Sequence, residues 1–152
     1  MPIQFTVTEQ FSVVKEKVFD GLTDLDGARD WMKGLVRIEK IKGEKVETGA
    51  VWRETRKMFG KEATEEFEVT SVIQNKEIRL RVDGTKGSSK KGEYLFQYLL
   101  TEKNGGTAVT LNGEIAGLKG FSALFGKLFA GMFKKACRKD LRTLKQYLES
   151  NK

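Results

Sequence analysis

Leu118–Leu148 reads LKGFSALFGKLFAGMFKKACRKDLRTLKQYL and is the one long run of the chain with neither proline nor strand-like alternation. Phe121, Leu124, Phe125, Leu128, Phe129, Met132 and Phe133 recur in it at the three-and-four spacing of one helical face. Lys127, Lys134, Lys135, Arg138, Lys139, Arg142 and Lys145 supply a basic face. At ~1.5 Å per residue such a helix reaches ~45 Å, enough to cross a small domain. Its apolar residues do not keep one direction. Phe121 to Met132 centre on one, and Cys137, Leu141, Leu144 and Leu148 on another about a third of a turn away. A bend or a change of packing partner is therefore expected between Gly131 and Cys137. Gly117, Gly120, Gly126 and Gly131 dilute the aromatic half, at ~1 kcal/mol each against alanine in a helix interior. A movable cavity wall fits that weakness, and so does close packing of backbone on a sheet.

Upstream the period falls to two. Ile3, Phe5 and Val7 alternate with polar residues, as a strand with one buried face does. Ser12 is placed to cap a helix running through Leu22. Asp24 or Asp26 is placed to cap a second short one, carrying Trp31 and Met32 and ending at Gly34. Alternation then resumes in six runs: Val36–Ile41, with a bulge expected near Glu39 or Lys40; Val51–Met58; Ala63–Thr70; Ile78–Val82; Tyr94–Leu100; and Val109–Ile115. Gly60, Asn75-Lys76 and Asn104-Gly105-Gly106 mark tight turns. Short turns between consecutive strands predict an antiparallel meander of about seven strands, and its apolar face needs a cover. The terminal helix is the element long enough to provide one. Nothing in the pattern divides the chain, so residues 1–152 are expected to form a single domain.

Composition narrows the chemistry. The chain has 152 residues and no histidine, which removes the commonest general base, the usual catalytic triads and most zinc sites. Catalysis would fall to Asp, Glu, Lys, Arg or Tyr; no metal or cofactor is expected. The single cysteine, Cys137, permits no internal disulfide, and a cytoplasmic location is expected. The net charge of +7 sits entirely from Leu118 onward, where nine basic residues face two acidic ones. That excess suits a solvated helix face or peripheral contact with an anionic membrane surface. Nucleic acid is not expected, because the aromatic residues of this helix share its apolar side.

One strand carries a candidate site. Trp52 and Met58 set an inward face, and the period of two puts Glu54 and Arg56 on it. Glu65 shares a face with Phe67 on the next strand. Buried charges need partners, so two glutamates and an arginine predict an internal network that meets a ligand's carboxylate or hydroxyl. A structural ion pair fits the same residues, as does a solvated face if Val51 and Phe59 point inward instead. Tyr94 and Tyr98, on one side with Phe96, would add hydroxyls to the same interior or serve as core aromatics.

The order of elements, with Val18-Phe19, Asp24, Trp31, Gly49-Ala50-Val51-Trp52-Arg53-Glu54-Thr55-Arg56, Tyr94-Leu95-Phe96, Gly106-Thr107-Ala108-Val109-Thr110 and Asp140-Leu141-Arg142-Thr143-Leu144-Lys145, resembles the START-like or SRPBCC superfamily. Within it, the chain is similar to the polyketide cyclase/dehydrase-like branch. The resemblance implies an α+β helix-grip fold: a curved antiparallel sheet wrapped around a long C-terminal helix, with two short helices after the first strand. It also implies a cavity for a hydrophobic or amphipathic small molecule such as a lipid, polyketide or isoprenoid. Trp52, Glu54, Arg56, Met58, Phe67, Tyr94, Phe96, Tyr98, Phe121, Phe125, Phe129 and Met132 are the expected lining. The catalytic histidines of the superfamily's enzymes have no counterpart here, so binding or carriage is favoured. Two alternatives stand beside it: a cyclase or dehydratase using Glu54 or Glu65 as acid and base, and lipid transfer at a membrane through the basic helix.

Overall fold

The computed structural model describes residues 2–58, 60–117 and 123–150. Its strands are β1 (Ile3–Phe11), β2 (Leu35–Lys42), β3 (Val51–Met58), β4 (Lys61–Ile73), β5 (Glu77–Asp83), β6 (Glu93–Lys103) and β7 (Gly106–Ala116); its α-helices are α1 (Lys15–Thr23) and α2 (Ala123–Ser150). The seven strands form one antiparallel sheet in the order β1-β7-β6-β5-β4-β3-β2. Five hairpins make the run from β2 to β7, and α1 with the turn after it carries the chain from one sheet edge to the other.

Cross-strand register explains the core. Ile3, Ile115, Tyr94, Val82, Phe67 and Trp52 pair in succession, a row across six strands on one face. A second row runs Val7, Leu111, Tyr98, Ile78, Val72. Because side chains alternate faces, both rows and the one between them share the concave face; their β1, β7, β6 and β5 members join the main core with α2, while Trp52 lies in a second cluster with Ala50 and Val69. In that middle row Phe5 pairs with Gly113, which pairs with Phe96. A Cβ on Gly113 would come 2.1 Å from the Phe5 ring, so the missing side chain is the space the ring fills. The helix answers with one stripe: Phe129, Phe133, Cys137, Leu141, Leu144 and Leu148 all pack on this core, and Leu141 and Leu144 are fully buried.

The local details differ from the sequence expectation in two places. The first strand continues to Phe11, so α1 starts at Lys15 with no side-chain cap. Ser12 instead donates its backbone N–H to Glu149 Oε2 at 2.8 Å, tying the end of α2 to the end of β1. The second short helix is a single 3-10 turn over Ala28–Asp30, with Asp24 Oδ1 accepting from the Gly27 N–H before it. The β2 bulge does occur beside Lys40, and another register shift lies between Leu35 and Arg37.

Candidate functional site on the concave face

Aromatic rings form one wall. Phe133 lies 5.9 Å from Phe5, 5.6 Å from Tyr94, 6.0 Å from Phe96 and 5.9 Å from Phe129, ring centre to ring centre. Farther along the sheet Trp52 stacks on Phe67 at 5.6 Å with their planes 3° apart. Such pairs add to simple burial through their quadrupoles.

A polar strip lies beside this wall. Arg56 Nη1 and Nη2 donate to the two carboxylate oxygens of Asp140 on α2, at 2.8 and 3.0 Å, and Nη2 also reaches the Lys33 carbonyl at 2.8 Å. This fork-on-carboxylate geometry is the strong form of the pair. Burial works against the Arg56 charge, but Asp140, through its hydrogen bond and its charge, with Glu54 and Cys137 adding, holds the guanidinium above its ordinary pKa. Glu54 stands opposite Glu65 in the β3–β4 register. Burial pushes the Glu54 carboxyl from 4.5 up to about 7; Arg56 opposes that shift and Asp140 adds to it. Glu65 Oε1 accepts from the Ser89 N–H at 2.9 Å and from its hydroxyl, and the Tyr94 hydroxyl lies 3.5 Å from Ser89 Oγ. Burial, with Cys137, Asp140 and Glu54 adding, raises the Tyr98 phenol well above its usual range. Burial and the Asp140 charge push the Cys137 thiol up to about 12, so it is an un-ionised, unreactive thiol at neutral pH.

Trp52 Nε1, Arg56 Nε and Glu65 Oε2 are buried, and no described residue bonds to them. All three belong to strands β3 and β4 on the concave side. Leaving such atoms unpaired costs ~1–3 kcal/mol each, more if charged.

Of the expected lining, Trp52, Glu54, Arg56, Phe67, Tyr94, Phe96, Tyr98 and Phe129 lie on this face. Phe121 falls outside the described residues, as do the side chains of Met58 and Phe125. Met132 is a correction: it is 61% exposed, and Leu128 one turn earlier is 62% exposed. The apolar sector of the helix is wider than the sheet can cover, and Phe129 and Phe133 take the covered side. The expected Glu54–Arg56–Glu65 network is corrected in part: Glu54 and Arg56 do interact through their charges, but the hydrogen-bonded partner of Arg56 is Asp140 on the helix, and Glu65 accepts from Ser89 instead. Asp140 was missed as a site residue. The signal for it was there: it is one of only two acidic residues after Leu118, and both it and Glu149 reach back to the amino-terminal half.

A depression of about 400 Å³ also crosses the convex face over β1, β7, β6 and β5. Its polar groups satisfy one another in a chain: Thr6 to Asn112, Asn112 to Gln97, Gln97 to Glu77, and Arg79 to Glu77. Among the described residues it has no buried, unpartnered polar atom like those of the concave strip. Among the described residues no three His, Cys, Asp or Glu side chains gather as metal ligands, and no helix is long and apolar enough to cross a membrane.

A curved seven-stranded antiparallel sheet, two helices after β1 compressed to one and a half, and a long helix laid along the concave face define the START-like class. Solved structures share the fold. Ara h 8.0201 is 16% identical with a TM-score of 0.79, covering 99% of both chains. A Staphylococcus aureus protein of unknown function is 14% identical with a TM-score of 0.79, covering 99% of this chain and 96% of its own. The major latex-like protein 151 of Panax ginseng is 10% identical with a TM-score of 0.75, covering 97% of each. No curated protein sequence matches the chain. Residues 2–149 match the family described as polyketide cyclase / dehydrase and lipid transport, and the chain belongs to that family.

Proposed function

We propose that the protein binds and carries a hydrophobic or amphipathic small molecule held between the concave sheet face and α2. The observation that carries this reading is the set of buried, unpartnered atoms Trp52 Nε1, Arg56 Nε and Glu65 Oε2 beside a wall of aromatic rings. A core packed only for stability leaves few polar atoms without partners; a site completed by its ligand leaves those the ligand supplies. Glu54, Phe67, Tyr94, Phe96, Tyr98 and Phe129 complete the lining in this reading, and the family description, which includes lipid transport, supports it. The lone thiol Cys137 suits a cytoplasmic setting. Native mass spectrometry of protein purified from cells is the test. A co-purified lipid-like mass that is lost on denaturation is expected; repeated recovery of the bare chain, with no uptake of added fatty alcohols or sterols, would end the carrier reading.

Leu128 and Met132 favour a second property of the same protein. They stand one turn apart on the outer side of α2, with exposed Lys127 and Lys135 beside them. Exposed apolar residues rimmed by lysines suit the interface of an anionic bilayer, so ligand exchange at a membrane surface fits the reading. Nucleic acid is a poorer partner, since Phe129 and Phe133 of this helix are turned to the core.

A further inference from the structure

The concave strip has an unusual charge balance for a site that would hold a lipid. Its one cation among the described residues, Arg56, is already matched by the bidentate carboxylate of Asp140. Two more carboxyl groups, Glu54 and Glu65, face each other across β3 and β4. A fatty-acid carboxylate or a phosphate placed here would meet no free positive charge among the described residues and would stand beside the Glu54 and Glu65 carboxyl groups. The unpartnered atoms make a complementary demand. Trp52 Nε1, on a side chain only 5% exposed, and Arg56 Nε are donors that lack acceptors, whereas Glu65 Oε2 is an acceptor that lacks a donor. A hydroxyl both donates and accepts. An ammonium group satisfies only the acceptor, and a carboxylate only the donors.

We propose that the strip formed by Trp52, Arg56 and Glu65 selects ligands whose polar end is an uncharged hydroxyl, as in a fatty alcohol, sterol or phenol, over ligands ending in a carboxylate, phosphate or ammonium. The proposal rests on the reading that the concave face holds an apolar molecule, and it specifies the end of that molecule. Asp140 is the positioning residue that makes the strip reject acids, because it cancels Arg56.

The test is competition at pH 7.5 against the neutral fluorophore N-phenyl-1-naphthylamine, using 1-dodecanol, dodecanoate and dodecylammonium below their aggregation limits. For the unaltered protein, dodecanol binds at least about tenfold more tightly than either ion. Any oily cavity prefers a neutral chain to some degree, so two variants separate recognition from simple partition. Asp140→Asn frees the Arg56 charge and shifts the alcohol-to-carboxylate affinity ratio about tenfold toward the carboxylate. Glu65→Met removes the unpaired acceptor and lowers the alcohol's affinity about tenfold relative to the fluorophore's. An ion that binds as tightly as the alcohol to the unaltered protein overturns the proposal, as do ratios that neither variant moves. If the fluorophore itself never binds, the carrier reading falls and this inference falls with it; if it binds without discrimination, only the inference falls.

Discussion

Glu54 links the interior to pH. Its carboxyl titrates near 4.5 when free and about 7 in the fold, chiefly through burial. Below pH 4.5 it is protonated in folded and unfolded chains alike, and the full stability is present. Between 4.5 and 7 the unfolded chain gives up the proton first, so stability falls as pH rises. Above 7 the loss is complete, at about 3 kcal/mol by 1.36 kcal/mol per pKa unit. Glu54→Gln stays neutral throughout, so it should lose about 2.5 kcal/mol less than the unaltered protein between pH 5 and pH 8, read from urea unfolding at both. Parallel curves for the two proteins would place the carboxyl in water. Arg56 makes a companion prediction. Arg56→Ala leaves Asp140 enclosed without its partner and should cost about 3 kcal/mol. Replacing both, Arg56→Met with Asp140→Leu, should restore most of that, because a paired charge removed together with its counterion leaves no orphan. If the double variant is no more stable than the single one, Asp140 is not the reason for the loss.

At the level of elements, the Phe5–Gly113–Phe96 row and the two sides of α2 behave oppositely under mutation. Gly113→Ala drives a methyl into the Phe5 ring, itself 8% exposed and packed on Phe133, and should destabilise by about 1–3 kcal/mol in guanidinium unfolding. Leu128→Ser with Met132→Ser should change stability by under about 0.5 kcal/mol, since both side chains are in solvent. The same double variant should sharply reduce co-sedimentation with vesicles rich in phosphatidylserine. Undiminished sedimentation would remove the membrane role from this face. These elements also mark the limit of what sequence pattern conveys. Ile78, Leu80 and Val82 announce a strand because alternation is a local property, and the Asn104-Gly105 turn is legible because Asn104 takes φ 51° and Gly105 φ 76°. The Arg56–Asp140 pair is not legible in this way, since 84 positions separate its partners and no local rule joins them. Nor can a helical wheel tell which flank of a broad apolar sector the sheet will cover; Met132 and Phe133 are neighbours in sequence and face opposite environments.

For the whole molecule, the two ends of the chain hold each other. β1 pairs with β7 from Ile3–Ile115 to Phe11–Thr107, α2 bonds β1 through Arg142 to Glu9 at 2.8 Å, and Ser12 caps back to Glu149. Deleting residues 141–150 removes Leu141 and Leu144 from the core at 2% and 0% exposure. Such a chain should show no cooperative thermal transition by circular dichroism; a surviving sharp transition would mean the sheet holds together without the end of α2. The β1–β7 pairing also has a consequence during protein synthesis. β1 leaves the ribosome first, yet its partner strand follows about a hundred residues later, roughly 5–20 s at ~5–20 residues per second. Throughout that interval Phe5, Val7 and Phe11 have neither their neighbouring strand nor their covering helix. The nascent chain therefore carries an uncovered apolar edge until β7 and α2 have been made.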